Sequence, residues 1–182
     1  DSHNHLVGLN PGAGARWSAK RLSPEMAAAV ARRLRQRRDI TTLLFGGLEE
    51  RDSHQRILRL AHGSVIDAGT HNSLREFAAL IGLCRVLITS DTLALHVGIA
   101  LRKSVVAFFG PTAAQEIELY GRGVMLTPRR PCRCFYERSC RFPRSCVDRL
   151  GLERVLQPVE RMLERIESAP SKTRFAGPAA VP

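Results

Sequence analysis

The alternation of short apolar runs with segments of helical periodicity is the feature that most constrains the fold of this chain. The apolar runs are rich in β-branched, leucine or phenylalanine side chains, and they cover 6–10, 41–45, 64–67, 86–89 and 104–109. Such alternation is typical of βαβ units, in which helices join parallel strands. The sequence therefore predicts an α/β fold with five parallel strands flanked by helices, and a sixth strand is a candidate at 123–126.

Helix-capping residues mark two of the connecting helices. Ser23 is a favourable N-cap and the proline that follows it is a favourable first helical residue, which predicts a helix that runs to about Arg38. The pattern from Ser73 to Glu76 is that of a capping box and predicts a helix through Leu83.

The C-terminal part of the chain differs in character. A segment rich in Cys, Arg and Pro covers 131–147, and apolar residues at helical spacing then predict a closing helix over 151–167, with a kink at Pro158. Proline and glycine residues without periodicity follow. We therefore expect one domain over 1–167 and a disordered tail over 168–182.

Length and charge limit the class of protein. A chain of 182 residues, 44% of them hydrophobic, can bury the core of one domain. Its apolar runs are shorter than the roughly 20 residues of a membrane span and no secretory leader is seen, so we expect a cytoplasmic protein. The net charge of +11 comes from dispersed arginines rather than from Lys20, Lys103 and Lys172, the three lysines. With 5% aromatic residues and no recognition motif, nucleic-acid binding is disfavoured. Two other interpretations of the charge are favoured over nucleic-acid binding. The charge either attracts anionic substrates or an anionic membrane face, or it is an excess without function.

Polar residues follow the apolar run 86–89. Ser90, Asp91 and Thr92 come at its C-terminal end and open a short helix rich in Ala and Leu. Open parallel sheets bind ligands beyond the carboxyl ends of their strands, so Asp91 and Thr92 are placed for a ligand, with His96 one helical turn further along. A histidine on an apolar helix face, such as His96, is more often a structural histidine.

Two other strand ends carry candidate binding residues. After the first strand, a Gly-rich loop offers the amides of Gly12 and Ala13 and the ammonium of Lys20, which suit a phosphate. Its spacing fits neither common phosphate-binding fingerprint, and a plain strand–helix connection is an equal alternative. After the second strand come Gly46-Gly47 and then Glu49-Glu50. The two carboxylates can accept hydrogen bonds from sugar hydroxyls, or they can stabilise the start of a helix.

Taken in order, these motifs resemble those of glycosyltransferase family 9, the lipopolysaccharide heptosyltransferases. The similar stretches, within residues 6–167, are Asn10-Pro11-Gly12-Ala13 with Lys20-Arg21, Phe45-Gly46-Gly47 with its acids, Ser90-Asp91-Thr92 with His96, and Ala107-Phe108-Phe109-Gly110-Pro111-Thr112. The resemblance implies a single Rossmann-like domain that forms the C-terminal, donor-binding half of a GT-B fold. It implies inverting transfer from an ADP-heptose-like nucleotide-sugar in the synthesis of the lipopolysaccharide core or a related glycan.

The resemblance also implies roles for the residues of the first two loops. Gly12 and Ala13 would supply backbone donors, and Lys20 would meet the diphosphate. Glu50, or less so Glu49, would bind the ribose.

For the third loop, the resemblance implies that Asp91 and Thr92, with the amides of the following helix, hold the phosphates and the sugar. His96 would support that loop. Leu93 stands where the family usually has glycine, which bears on how closely a ligand can approach the backbone there.

The chain opens within a few residues of its first strand, so we expect the acceptor-binding half and its catalytic base to be absent and the chain to be inactive alone. No metal is required if Lys20 and helix dipoles neutralise the leaving diphosphate. The implied partners are the nucleotide-sugar and a glycolipid acceptor held by the missing half, which allows peripheral association with the inner membrane. Two alternatives stay open: a non-catalytic module that binds nucleotides or protein partners, and a nucleic-acid-binding protein driven by charge.

Four of the five cysteines cluster in the segment 131–147. Cys132, Cys134, Cys140 and Cys146 lie within fifteen residues, whereas Cys84 lies apart. Disulfides are disfavoured in the cytoplasm, so a dense cluster suggests a metal, although Cys-x-Cys is not the spacing of most zinc ribbons. A structural metal site or a redox-labile pair, and four free thiols, are equal alternatives.

Overall fold

The fold is a six-stranded parallel sheet with helices on both faces. The computed structural model describes residues 4–129 and 132–168. The strands are β1 (His5–Asn10), β2 (Ile40–Leu44), β3 (Ile66–Asp67), β4 (Val86–Ser90), β5 (Ser104–Phe108) and β6 (Gly123–Leu126). The helices are α1 (Pro24–Leu34), α2 (Arg51–Ala61), α3 (Leu74–Leu83), α4 (Leu93–Ala100) and α5 (Leu152–Ser168). The predicted α/β fold and its sixth strand are confirmed.

The strand order is β3-β2-β1-β4-β5-β6, and each neighbouring pair is parallel. The chain starts in the middle of the sheet, moves outward through β2 and β3, returns to β4 beside β1, and then moves outward on the other side. The connections after β1 and β4 therefore leave the sheet in opposite directions. Such a switch point leaves a crevice at the carboxyl ends of the two strands.

Strand residues alternate between two apolar layers, one on each face of the sheet. Val86 and Ile88 pack with α1, α2 and α5, whereas Leu87 packs with α3 and α4. Because both faces are covered, the central strands are apolar along their whole length. Gly98 allows α4 to lie close to the sheet, since a Cβ at this position would come within 2.7 Å of Cδ2 of Leu87.

Both predicted helix caps are present. The Ser23 hydroxyl accepts a hydrogen bond of 3.3 Å from the backbone amide of Met26. At the start of α3, the Ser73 hydroxyl accepts the Glu76 amide, and the Glu76 carboxylate accepts the Ser73 amide at 2.8 Å. These reciprocal bonds satisfy amides that a helix start otherwise leaves without partners.

Helix α1 ends at Leu34, earlier than the predicted end at Arg38. The chain must turn there to enter β2, and Arg37 secures the turn. Its guanidinium bonds to Asp39 at 2.6 Å and to Glu167 of α5 at 2.8 Å. These two carboxylates raise the pKa of Arg37, and the guanidinium lowers the pKa of Asp39. The arginine-rich end of the predicted helix thus serves as an ion-paired turn.

The C-terminal part closes one face of the sheet. The described residues of the Cys-rich segment, 132–147, contain no helix or strand. Helix α5 then runs through Pro158 as one element and buries Val155, Val159 and Leu163 among the helices of that face. The tail predicted over 168–182 lies, apart from the last residue of α5, outside the described residues. None of the helices within 4–129 and 132–168 is long and apolar enough to cross a membrane.

Candidate functional site

A cavity of about 520 Å³ lies at the carboxyl edge of the sheet, where β1 and β4 diverge. The loops after β1, β2 and β4 form its walls, together with the first turns of α3 and α4. Seven of the eight predicted binding residues line it: Gly12, Ala13, Lys20, Glu50, Asp91, Thr92 and Leu93. The eighth, His96, is exposed on α4 and is not among the lining residues. The strand ends that the sequence singles out therefore meet around one cavity.

Glu50 holds the backbone of two loops together. Its carboxylate accepts the amide of Gly14 at 2.6 Å through Oε1 and the amide of Gly47 at 2.8 Å through Oε2. The side chain is buried. The neighbouring Glu49 is exposed and accepts the amide of Ala15 at 2.5 Å. Both acids thus bind the Gly-rich loop, a structural role that the sequence does not reveal.

Glycine is required where this loop passes Glu50. A Cβ on Gly12 would lie 2.5 Å from Cγ of Glu50, closer than two carbons can approach. The carbonyl of Gly12 in turn accepts the Ser90 hydroxyl at 3.0 Å, which ties the loop to the end of β4. A larger residue at this position would displace either the Glu50 side chain or the loop itself.

Lys20 and Asp91 form an ion pair across the cavity. The Lys20 Nζ lies 2.8 Å from Oδ2 of Asp91 and donates to the Asp91 carbonyl at 3.1 Å. The two side chains are 13% and 17% exposed, so water screens the pair only in part. The ammonium also lies 4.9 Å from the ring centre of Trp17. Lys20, the only lysine among the described residues that line the cavity, is therefore held between a carboxylate and an aromatic face.

A small polar network fixes Thr92 at the start of α4. Asn10, at the end of β1, donates to the hydroxyls of Thr89 and Thr92, each at 3.3 Å. Asn10 and Thr89 are buried. The network connects the carboxyl ends of the two strands at the switch point. It sets the position at which α4 begins.

The start of α4 is directed at the cavity. Thr92, Leu93 and Ala94 line the cavity, and amides in the first turn of a helix have no acceptor within that helix. The Leu93 side chain is 58% exposed at the cavity edge. Free amides and the helix dipole together favour a negatively charged ligand at this position.

An apolar wall stands opposite these polar groups. Leu74 and Phe77, from the first turn of α3, line the cavity beside Asn72. The ring of Phe77 packs edge-on against Phe45, with ring centres 5.8 Å apart. The sequence gives the start of α3 through its capping box, but the contact of its apolar residues with the cavity was not predicted. The signal was available, because this helix also begins at the carboxyl edge.

His54 lies buried behind the second loop. Its Nδ1 lies 3.2 Å from Oδ1 of Asp67, and its Nε2 has no hydrogen-bond partner within the described chain. A Cβ on Gly46 would come within 2.4 Å of that Nε2. The histidine therefore supports the glycine turn, and no spacing in the sequence indicated this pairing.

The four clustered cysteines line a second cavity, of about 530 Å³. None of these four cysteines forms a disulfide bond. Burial and the neighbouring thiols of Cys132 and Cys140 raise the pKa of Cys146 to about 12. Within the described residues, no three of the four sulfur atoms lie within 4.8 Å of one another. The thiols therefore share a cavity without forming a closed metal site.

The order of the strands and the position of the cavity define a Rossmann-like domain of the class that binds ligands at a strand switch point. The family model described as glycosyltransferase family 9 (heptosyltransferase) matches residues 1–144. The chain therefore belongs to glycosyltransferase family 9, and the predicted family is confirmed.

A curated relative and a solved structure are similar to this chain. The chain is 30% identical over 109 residues to lipooligosaccharide heptosyltransferase 2 of Campylobacter jejuni, a match that covers 59% of this chain and 34% of that protein. The solved structure of Escherichia coli ADP-heptose lps heptosyltransferase II matches with a TM-score of 0.71 and 22% identity, over 92% of this chain and 49% of the other.

Two further solved structures share the fold. A family 9 glycosyltransferase from Veillonella parvula matches with a TM-score of 0.73 and 22% identity, over 91% of this chain and 47% of the other. E. coli heptosyltransferase WaaC with ADP matches with a TM-score of 0.59 and 19% identity, over 89% and 45%. The chain thus spans about half the length of the structures it matches.

Proposed function

We propose that this chain is the donor-binding half of an inverting glycosyltransferase, and that its donor is an ADP-heptose-like nucleotide-sugar. The observation that carries the proposal is the cavity at the switch point, in which the start of α4 and the ammonium of Lys20 both face the same space. Amide donors and a nearby cation stabilise a diphosphate, and groups of both kinds line this cavity.

The remaining walls suit the other parts of such a donor. Leu74 and Phe77 offer an apolar surface for a nucleobase. Glu50 keeps a free lone pair on each carboxylate oxygen beyond the two amides it accepts, so it can still receive a ribose hydroxyl. Asp91, paired with Lys20, is assigned to the sugar that follows the phosphates, because its carboxylate can accept hydrogen bonds from hydroxyl groups. ADP is the ligand named for E. coli WaaC, and we take it as the nucleotide part of the donor.

The acceptor and the cellular setting belong to the same proposal. The relatives are lipopolysaccharide and lipooligosaccharide heptosyltransferases about twice the length of this chain, so we assign the acceptor site to a second half. The acceptor is then a glycolipid of the lipopolysaccharide core or a related glycan. The enzyme would work in the cytoplasm, at the periphery of the inner membrane, where the net charge of +11 favours an anionic surface. Lys20 and the α4 dipole replace a metal at the leaving diphosphate.

The test is calorimetry with ADP and with an ADP-sugar on the 182-residue chain. Lys20→Met should weaken binding of both ligands by about 1–3 kcal/mol, because it removes a charged contact to the diphosphate they share. Lys103→Met is the matched control, since Lys103 precedes β5 at the opposite edge of the sheet and should leave binding unchanged. A chain that binds neither ligand, or equal losses in the two variants, would contradict the proposal.

A further inference from the structure

The cavity inside the Cys-rich segment is lined by four thiols and by no other metal-binding side chain. Cys132, Cys134, Cys140 and Cys146 all contribute to its wall, and the described lining contains neither carboxylate nor imidazole. The spacing between the last three cysteines is regular, with five residues in each interval. An ion that entered this cavity would therefore have sulfur ligands only.

The charges around this cavity are positive. Arg129, Arg133, Arg144 and Arg149 also line it. The described lining offers these guanidinium groups no carboxylate as a counter-charge. A divalent ion bound by four thiolates carries a net charge of about −2, which arginines that line the same cavity would stabilise.

We propose that Cys132, Cys134, Cys140 and Cys146 bind one Zn²⁺ ion in a tetrahedral site. The ion replaces the four thiol protons, which pass to solvent, and four zinc–sulfur bonds form without any change of oxidation state. Tetrahedral four-thiolate coordination is a common structural zinc site, and a site with four protein ligands leaves no open position for catalysis. The role is therefore structural.

Zinc would draw the Cys-rich segment together. Zinc–sulfur bonds of about 2.3 Å place tetrahedral sulfur atoms about 3.8 Å apart, whereas no three of the four described sulfur atoms now lie within 4.8 Å of one another. The described residues 132–147 contain no helix or strand that would resist this change. Metal binding of this kind is coupled to the folding of the segment that supplies the ligands.

The segment is attached to the Gly-rich loop of the first cavity. The carbonyl of Arg138 accepts the amide of Ala19 at 3.0 Å and the hydroxyl of Ser18 at 3.2 Å. Ala19 lies next to Lys20 in the 3-10 helix Ala15–Lys20, which also carries Trp17. Zinc occupancy should therefore change the surroundings of Trp17, the single tryptophan of the chain, whether or not a nucleotide binds.

The first measurement is the metal content of the chain purified without added metal, by mass spectrometry of the elements. We expect about one zinc per chain. The double variant Cys132→Ser/Cys140→Ser should hold at least about tenfold less, because two ligands are lost. Cys84→Ala is the control, since Cys84 lies buried in a different part of the core and should leave the zinc content unchanged.

A second measurement on the unsubstituted chain does not depend on whether the variants fold. After removal of metal by a chelator, added Co²⁺ should give the charge-transfer and d–d absorption of a tetrahedral thiolate site, and Zn²⁺ should displace it. The same Zn²⁺ addition should shift the fluorescence of Trp17. Four rapidly titrating thiols in the purified protein, iron in place of zinc, or zinc that persists in the double cysteine variant would each overturn the proposal.

Discussion

Lys20 and Asp91 restrain each other before any ligand arrives. In the proposed site a carboxylate beside the diphosphate would repel it, and Lys20, whose Nζ lies 2.8 Å from Oδ2 of Asp91, would offset that repulsion. A diphosphate that binds Lys20 must compete with that carboxylate. The structure therefore links two side chains that the sequence treats as separate contacts.

This competition leads to a prediction for Asp91→Asn. The variant should weaken binding of an ADP-sugar by about 1–3 kcal/mol, because a charged acceptor for sugar hydroxyls is lost. It should leave binding of ADP unchanged or make it tighter, since Lys20 is released. Calorimetry with both ligands makes the comparison. Equal losses for the two ligands would mean that Asp91 positions the loop and does not contact the sugar.

Glu50 supports a second prediction at this scale. In Glu50→Gln one oxygen becomes an amide that faces a backbone donor, either at Gly14 or at Gly47, so one buried amide loses its acceptor. We expect the free energy of unfolding to fall by about 1–3 kcal/mol. Glu49→Gln, exposed and bonded to one amide, should change it by no more than about 0.5 kcal/mol. Denaturant unfolding of the two variants measures both values, and equal effects would contradict the role of Glu50.

The positions of the candidate site residues could be predicted from sequence, but their contacts could not. Asp91, Thr92 and Lys20 follow strand ends, and the carboxyl ends of parallel strands meet at one edge. The pairing of Lys20 with Asp91, and that of Glu50 with Gly14, depends on loop conformations between residues far apart in the chain. No local pattern encodes those conformations. The resemblance implies that His96 supports the loop, but neither the resemblance nor helical spacing tells which face of α4 is exposed.

At the scale of elements, Pro158 in α5 allows a comparison of two effects on stability. One is the helical hydrogen bond that proline cannot form, and the other is the packing of the proline ring. Pro158 lies within this helix and lacks the amide that would donate to the carbonyl of Arg154. Pro158→Ala should raise the free energy of unfolding by about 1–3 kcal/mol. Gln157→Ala, at the exposed neighbouring position, should change it by less than about 0.5 kcal/mol. A loss of stability in Pro158→Ala would show that packing of the proline ring outweighs the missing bond.

Element boundaries were predicted best where a cap has a specific side chain. Ser23 and Ser73 mark helix starts that the structure confirms. The end of α1 was predicted too late, because the arginines after Leu34 are compatible with a helix by propensity. In the turn after the helix, Arg37 pairs with Asp39 and with Glu167, and Glu167 lies 130 residues away from Arg37. Such a long-range contact cannot be predicted from local sequence.

At the scale of the whole molecule, the strand order explains why one crevice collects the candidate residues. The alternation of strands and helices predicts parallel strands, but many orders of six strands satisfy it. The order β3-β2-β1-β4-β5-β6 places the loops after β1 and β4 side by side. The sequence alone does not determine this order. The resemblance to a known family was needed to expect a Rossmann-like domain.

The described lining of the first cavity also predicts that this chain does not transfer sugar on its own. An inverting transfer needs a base opposite the leaving diphosphate. The carboxylates among the described lining residues are Glu50 and Asp91, and both are engaged, one with two backbone amides and the other with Lys20. We therefore expect the 182-residue chain to bind ADP without transferring sugar from ADP-heptose to a truncated lipopolysaccharide acceptor. Mass spectrometry of the acceptor measures transfer, with a two-domain heptosyltransferase as the positive control. Elongated acceptor in the presence of this chain alone would show that the base lies within these residues.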